Sequence, residues 1–380
     1  MTPDRSLRGR YVLAGIGATA FGKLGRDTLS LHVEACRNAL ADAGIGKDVV
    51  DAVLVKTPTS SREFMHGQRV AEALGLTPRW GGAWDQGGAA NITLIAFAIM
   101  AIECGQCEVA LVSYADNPRS GSRGVFESAR GHDAAHGFFG AVGGYAMIQR
   151  RHMIEYGTPA QAFGAVALAA RRHGAQNPRA QLQKPLSWDD YAASPWLVDP
   201  IRRDDACLLS DGAGAVVVMS AERGRQLRVP AAVAVLGFGE GQTSYDLTLR
   251  DSLTSSEAVR SGRTAFEMAG VTVRDVDVAQ LYDCFTITVL MTLEDYGFCA
   301  KGGVAAFVAD GALELGGRLP INTSGGLLSE TGMPGMQLIH EAVRQIRGTA
   351  TLQVKDADVC VVSNQGGVMH THATLIVGSP

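Results

Sequence analysis

The chain has little charge, few cysteines and no apolar stretch long enough to cross a bilayer. Charged residues make up only 19% of its 380 positions, and the formal net charge is −4. With a pI near 6.1, nothing electrostatic favours nucleic acid or an anionic membrane as a partner. Like-charge runs and low-complexity tracts are missing too, so no disordered tail is expected. Outside the N-terminal segment the longest apolar run, Ile92 to Ile102, falls far short of the ~20 residues of a membrane span. The N-terminus places Arg5, Arg8 and Arg10 before the apolar run Tyr11 to Phe21, a pattern shared with secretory signals. That run contains Gly15 and Gly17, however, and its pattern recurs at 235–239, so it is read as the first strand. A soluble, cytoplasmic protein is expected.

The seven cysteines are an odd and scattered set, which points to reduced thiols. The one C-x-x-C, Cys104-Gly105-Gln106-Cys107, falls where a helix over 89–104 should end. There the helix dipole works against a thiolate. No second C-x-x-C completes a zinc site, so core packing and no metal are expected.

What the chain has in quantity is glycine, 46 residues, which suits a compact, turn-rich enzyme. It also carries one segment twice. At an offset of about 226 residues, Arg37 meets Arg263, Ala39 meets Ala265, Ala43-Gly44-Ile45 meets Ala269-Gly270-Val271, and Asp51 meets Asp277. The opening Leu13-Ala14-Gly15-Ile16-Gly17 is paralleled by Val235-Leu236-Gly237-Phe238-Gly239, and Glu108 to Ser113 by Asp358 to Ser363. Each copy reads as strand, helix closed by Gly, acidic loop and strand, so a pseudo-twofold α/β core follows. Strands are expected at Val12–Gly17 and Ala52–Lys56, and a helix at Leu29–Ala43 with Thr28 as N-cap and Gly44 as its stop. Ala89–Cys104, apolar on nearly every face, should be a buried central helix.

Comparing the copies measures an insertion. The late strand pair of the second copy is separated by a short turn, whereas its counterparts, 109–113 and 215–219, are separated by roughly 90 extra residues. Three units are therefore expected: 1–113 with 206–228 as the first half, 114–205 as an inserted substrate-binding unit, and 229–380 as the second half. Insertions at the C-terminal ends of strands are where α/β folds place such elements. Phe138, Phe139 and Trp196 of the insertion are candidates to line a pocket.

Four loops fall at strand ends: 85–91, 282–286, 322–334 and 363–372. Together they resemble the thiolase superfamily across essentially the whole chain, and most closely its sterol-carrier-protein-type and lipid-transfer-protein branch. Tyr282-Asp283-Cys284-Phe285 is similar to that branch's His-Asp-Cys-Phe, and Asn322-Thr323-Ser324-Gly325-Gly326 to its Asn-Pro-Ser-Gly-Gly. Ser363-Asn364-Gln365-Gly366-Gly367 resembles its Gly-rich C-terminal loop. Arg151-His152-Met153, Tyr156-Gly157-Thr158 and Ser210 to Ala215 add to the match. The resemblance implies a layered αβαβα core of two duplicated β/α halves with two sheets, an inserted loop domain, and a coenzyme A thioester as substrate.

The departures from that pattern bear on activity. Thiolases place a nucleophilic Cys at the start of the buried helix; the matching position here is Gly88, which cannot form an acyl-enzyme. Its N–H at a helix N-terminus could still hold a thioester oxygen. The Gly-His-Pro of relatives is here Gly332-Met333-Pro334, so Met333 stands in place of a carbonyl-polarising histidine. Tyr282 replaces a His or Asn, and Cys284 occupies the acid/base position of the resembled branch. His372 and His370 lie beside the Gly366-Gly367 turn. Tyr282 is the leading candidate base, with His372 second and Cys284 as a further proton-transfer group. Asp283, Ser324, Gly325, Gly326, Met333, Gly366, Gly367 and His370, with Gly88, are expected to shape the substrate site, Asp283 by tying down its loop.

An acyl-CoA fold that holds the thioester oxygen stabilises an enolate, and retro-aldol cleavage needs an enolate but no acyl-enzyme. The expected reaction is thus carbon–carbon cleavage of a β-hydroxyacyl-CoA with a steroid or other bulky side chain. The alternatives are a thiolase acting as an acyl-CoA acyltransferase, and a non-catalytic acyl-CoA-binding subunit. The resemblance further implies a homodimer and a small zinc-ribbon/OB-fold partner protein; no cofactor is expected within the chain itself.

Overall fold

The computed structural model describes residues 3–379 apart from 62, 129–134, 139 and 334. The first half runs β1 (Tyr11–Ala18), α1 (Thr28–Ala43), β2 (Ala52–Lys56), α2 (His66–Leu74), β3 (Trp80–Trp84), α3 (Ala90–Glu103) and β4 (Val109–Asp116). Next come α4 (Gly124–Glu127), α5 (Gly140–Tyr156), α6 (Ala160–Gly174), α7 (Trp188–Ala192), β5 (Trp196–Val198) and β6 (Ile201–Arg202). The chain then returns to the core as β7 (Gly212–Ser220) and α8 (Ala221–Gln226). The second half comprises β8 (Val233–Gln242), α9 (Ala258–Ala269), β9 (Val278–Gln280), α10 (Thr286–Tyr296) and α11 (Val304–Phe307). It ends with α12 (Gly326–Ser329), α13 (Met336–Arg347), β10 (Val359–Gly366) and β11 (Thr371–Gly378).

The repeat seen in the sequence is a repeat in space. Helices α1 and α9 both stop at a left-handed glycine, Gly44 and Gly270. The acidic residue that follows does the same work in each copy. Asp51 accepts hydrogen bonds from the Glu108 and Val109 amides, and Asp277 from those of Asp358 and Val359. Each Asp thereby pins the start of a neighbouring strand. The glycine pairs of β1 and β8 are needed because a helix lies directly on them. A side chain at Gly15 or Gly17 would strike the backbone of α1 around Ala35 and Ala39; one at Gly237 or Gly239 would strike α9 around Ser261 and Ala265.

Strand order is β3-β2-β4-β7-β1-β8-β11-β10-β9. Read outward from the middle, both halves follow the same sequence of strands. A parallel bridge from Ala279 to Ile321 stands where the second half would need its counterpart of β3. The expectation of two separate sheets is corrected here. Tyr11–Leu13 of β1 pair antiparallel with Val233–Val235 of β8, which joins the half-sheets into one of nine strands. Both α3 and α13 touch strands of both halves, while α1, α2 and α9 pack outside. The sheet therefore folds back at the β1–β8 junction and encloses two helices, which preserves the layered arrangement. Burial from both sides explains why α3 is apolar all round.

Smaller expectations shift. The N-cap of α1 is Asp27, whose carboxylate accepts from the Ser30 amide at 2.8 Å, rather than Thr28. Of the C-x-x-C pair, Cys107 is buried, with its thiol pushed up to about 12 by burial, but Cys104 is exposed. Among the described residues no helix is long and apolar enough to cross a membrane.

Candidate active site

The loop between β3 and α3 makes the first wall. Gly87 has φ +59°, and a side chain there would sit 2.7 Å from Gly366 Cα, so two glycine turns from opposite halves touch backbone to backbone. Thr371 Oγ1 donates to the Gln86 carbonyl at 3.1 Å and fastens the contact. A Cβ on Gly88 would collide with the Tyr282 hydroxyl and lie 2.5 Å from both Tyr282 Cζ and the Gln365 carbonyl. The phenol of Tyr282 thus fills the volume in which any side chain at position 88 would begin.

The loop from β9 to α10 makes the second wall. The Tyr282 amide donates to Ser363 Oγ at 3.2 Å, and Thr288 Oγ1 donates to its carbonyl at 2.6 Å, which fixes where the ring leaves the backbone. Burial, reinforced by Cys284, Cys207 and Asp283 nearby, holds this phenol well above its ordinary value. Asp283 is wholly buried beneath Gly326 and accepts from the amides of Leu327 and Leu328 at 2.8 and 3.2 Å. Burial pushes its carboxyl up to about 7, and those amides pull the other way. Gln365 Nε2 lies 3.3 Å from Cys284 Sγ, and the thiol is pushed up to about 12 by burial.

The third and fourth loops complete the enclosure. Gly325 and Gly326 both have positive φ, as the turn into α12 demands. Asn177 Nδ2 of the inserted region donates to the Ser324 carbonyl at 2.8 Å, while Ser324 Oγ is buried without a protein partner. Met333 is buried, so a thioether occupies the place where the resemblance puts histidine; Pro334 lies outside the described residues. The Gly366-Gly367 turn is closed by the His370 amide on the Gly366 carbonyl at 3.0 Å. His370 stacks on Tyr245 with ring centroids 5.2 Å apart, and its Nδ1 lies 2.5 Å from Arg250 Nη2, which also donates to the Val368 carbonyl.

The two histidines are therefore placed differently from Tyr282. His372 pairs with Gln365 across β10 and β11, and its Nδ1 is 2.8 Å from Ser261 Oγ of α9. Burial lowers its pKa to about 3, which keeps it neutral at physiological pH and weakens it as a base. Gly88, Tyr282, Cys284, Gly366 and Gly367 converge; His370 and His372 brace the turn behind them.

Two residues escaped the sequence reading. Gln365 sits inside the matched glycine loop but carries no titratable group. Tyr145 on α5 donates to the Gly367 carbonyl at 2.7 Å and packs its ring 4.4 Å from Phe285. It is also among the neighbours that hold the Cys284 thiol down against burial. No spacing along the chain links 145 to 284 and 367. Elsewhere on α5 a cleft of about 640 Å³ is lined by Phe138, Ala146, Met147, Ile154, Val198 and Leu253, with Arg150, Arg151 and Asp199 among others. Trp196 is not in it and instead lies under the Arg202 guanidinium at 3.9 Å; Phe139 lies outside the described residues.

Residues 239–379 match a family model described as thiolase C-terminal domain-like. The chain is 38% identical to the steroid side-chain-cleaving aldolase of Thermomonospora curvata, covering 95% of this chain and 96% of that protein. It is 38% identical to the 17-hydroxy-3-oxo-4-pregnene-20-carboxyl-CoA lyase of Mycobacterium tuberculosis, covering 95% and 98% respectively. The solved structure of an Ltp2-ChsH2(DUF35) aldolase is similar with a TM-score of 0.89 and 37% identity, over 98% of both chains.

Proposed function

The chain belongs to the thiolase superfamily, in its sterol-carrier-protein-type, retro-aldolase-like branch, and from that premise we propose how its site breaks a carbon–carbon bond. The substrate is a β-hydroxyacyl-CoA and the reaction is retro-aldol cleavage, giving a carbonyl compound and a shortened acyl-CoA. The observation that carries this reading is the Tyr282 hydroxyl lodged in the space of the missing side chain at Gly88. Thiolysis needs a nucleophile there; proton transfer needs only an oxygen.

The thioester oxygen is held by backbone N–H groups at Gly88 and the Gly366-Gly367 turn, where negative charge develops as the Cα–Cβ bond breaks. Of the pair Tyr282 and Cys284, one is deprotonated in the working enzyme. The Tyr282 oxygen takes the β-hydroxyl proton, the β-carbon becomes a carbonyl, and the bonding electrons form the enolate. Cys284 gives its proton to Cα, and Tyr282 then returns a proton to the thiolate. His372, buried and weakly basic, stands as the second candidate base. Asp283 orients the Ser324 to Leu328 loop.

The cleft of about 640 Å³ on α5 supports a bulky acyl group of steroid type. The strand β3, at one end of the sheet with Trp84 42% exposed, offers an unpaired edge that supports a homodimer. A zinc-ribbon/OB-fold partner is proposed on the strength of the DUF35 component in the name of the similar aldolase structure. The test is incubation with panels of β-hydroxyacyl-CoA and β-ketoacyl-CoA, with and without free CoA, with products followed by mass. Cleavage of the hydroxy substrates without free CoA is expected. Turnover of keto substrates that depends on CoA would replace this reading with thiolysis.

A further inference from the structure

Buried cysteines in this chain fall into two kinds. Cys360 is surrounded by core, and its thiol faces the Val361 carbonyl at 3.8 Å. Cys284 is buried as well, yet its sulfur is met by donors. The Gln365 amide, 2% exposed, donates to it at 3.3 Å, and the Tyr145 hydroxyl, which donates to the Gly367 carbonyl, is a neighbour that favours its charged form. We propose that Gln365 and Tyr145 are positioning residues that act through Cys284, Gln365 by a hydrogen bond already made to its sulfur and Tyr145 by one it can turn toward it, so that the thiol can release and regain a proton inside a closed site. This rests on the assignment of Cys284 as the donor to Cα.

The geometry suits both protonation states. While sulfur carries its proton, Tyr145 donates to the Gly367 carbonyl at 2.7 Å. Once the proton has gone to Cα, the S–H bond is broken and a Cα–H bond formed. The phenol can then turn its hydrogen from the carbonyl to the thiolate. The Gln365 N–H already points at sulfur and is strengthened when sulfur becomes charged. Packing holds both donors in place. Gln365 is fixed by strand register opposite His372, and Tyr145 is wedged against Phe285 by a helix whose Gly144 abuts Val368. The titratable groups facing Cys284 are Tyr145, Tyr282, Asp283 and Cys207. None is a cation, so hydrogen bonds are the means by which these neighbours favour the thiolate. Burial, with Glu341 and Asp277 adding to it, drives Cys360 well above its ordinary value, whereas Cys284 is raised to about 12.

The test is the pH dependence of iodoacetamide labelling of Cys284 in the full-length protein, mapped to its peptide so that Cys207 is counted separately. Tyr145→Phe keeps the ring and Gln365→Met keeps the volume, so each removes little but a donor. Each should raise the apparent thiol pKa by roughly one unit, or about tenfold slower labelling at fixed pH. Labelling of Cys207 should stay unchanged, and kcat should fall with little change in KM. Gln365→Glu, which puts a like charge beside sulfur, should slow labelling further. An unchanged Cys284 profile in both donor variants would overturn the proposal. Full turnover in Cys284→Ala, with the labelling shifts intact, would instead remove the catalytic assignment and leave the tuning of the thiol supported.

Discussion

At the scale of single residues, the relation between Gly88 and Tyr282 governs the chemistry. Removing one oxygen by Tyr282→Phe keeps the ring that fills the space beside Gly88, so folding should be preserved while turnover falls by ~10²–10⁴-fold. His372→Ala should cost less, because its Nδ1 is engaged by Ser261 and its ring is hard to protonate. Wild-type turnover in Tyr282→Phe with collapse in His372→Ala would reverse that assignment. Intact-mass analysis of the wild type with acyl-CoA should reveal no covalent adduct, since no side chain at 88 can carry one. Gly88→Ala should be impaired, because its methyl must displace the phenol.

Asp283 offers a separate reading by pH. Its carboxyl titrates near 7 when folded against an ordinary 3.8, so between those values the folded chain binds the proton that the unfolded chain has released. Stability from this group is fully present below the lower value and lost as pH rises through the higher one. Thermal melts should therefore show wild type losing stability from about pH 4 to about pH 7 relative to Asp283→Asn, with no further change above. A difference between the two that does not vary with pH would mean the carboxylate stays ionised throughout.

At the scale of elements, the two strand–helix contacts set how close each outer helix lies to its own half of the sheet. Gly239→Ala would drive a methyl into the Ser261 carbonyl and push α9 off β8. Overpacking of this kind costs roughly 1–3 kcal/mol, and here it would also move the serine that holds His372. Gly46→Ala, where a Cβ has nearly free space and φ is ordinary, should be close to neutral in the same melts. Comparable losses in both would show that the close approach of α9 to β8 is not what requires glycine at 239.

At the scale of the molecule, α3 carries Gly88 at its head and is gripped by both halves, so the site exists only when the sheet has folded back at β1–β8. Its outer edge, β3, remains open, and Trp84 packs edge-on against Phe97 there with ring centroids 5.2 Å apart. If that edge makes the dimer, Trp84→Lys should shift the mass measured by light scattering from two chains toward one. A dimer that survives this change would place the interface elsewhere.

Much of this was legible along the chain. The repeat of Ala-Gly-Ile against Ala-Gly-Val with its following Asp marks local units, and local units leave periodic traces. The glycine turns and the absence of cysteine at 88 could be read directly, because each is a property of one short segment. What the sequence could not express is convergence. Residues 88, 145, 284, 365 and 367 come from four separate segments, and no spacing records that a phenol from one half occupies the space vacated in the other. Nor could it tell His370 and His372 apart from Tyr282, since all lie near matched loops. Packing turned His372 toward α9 while Gln365, its cross-strand partner on the same face, reached Cys284. The identity of the loops was thus a matter of sequence, and the division of labour within them was decided by close packing of distant segments, which fixes which polar group each buried atom can reach.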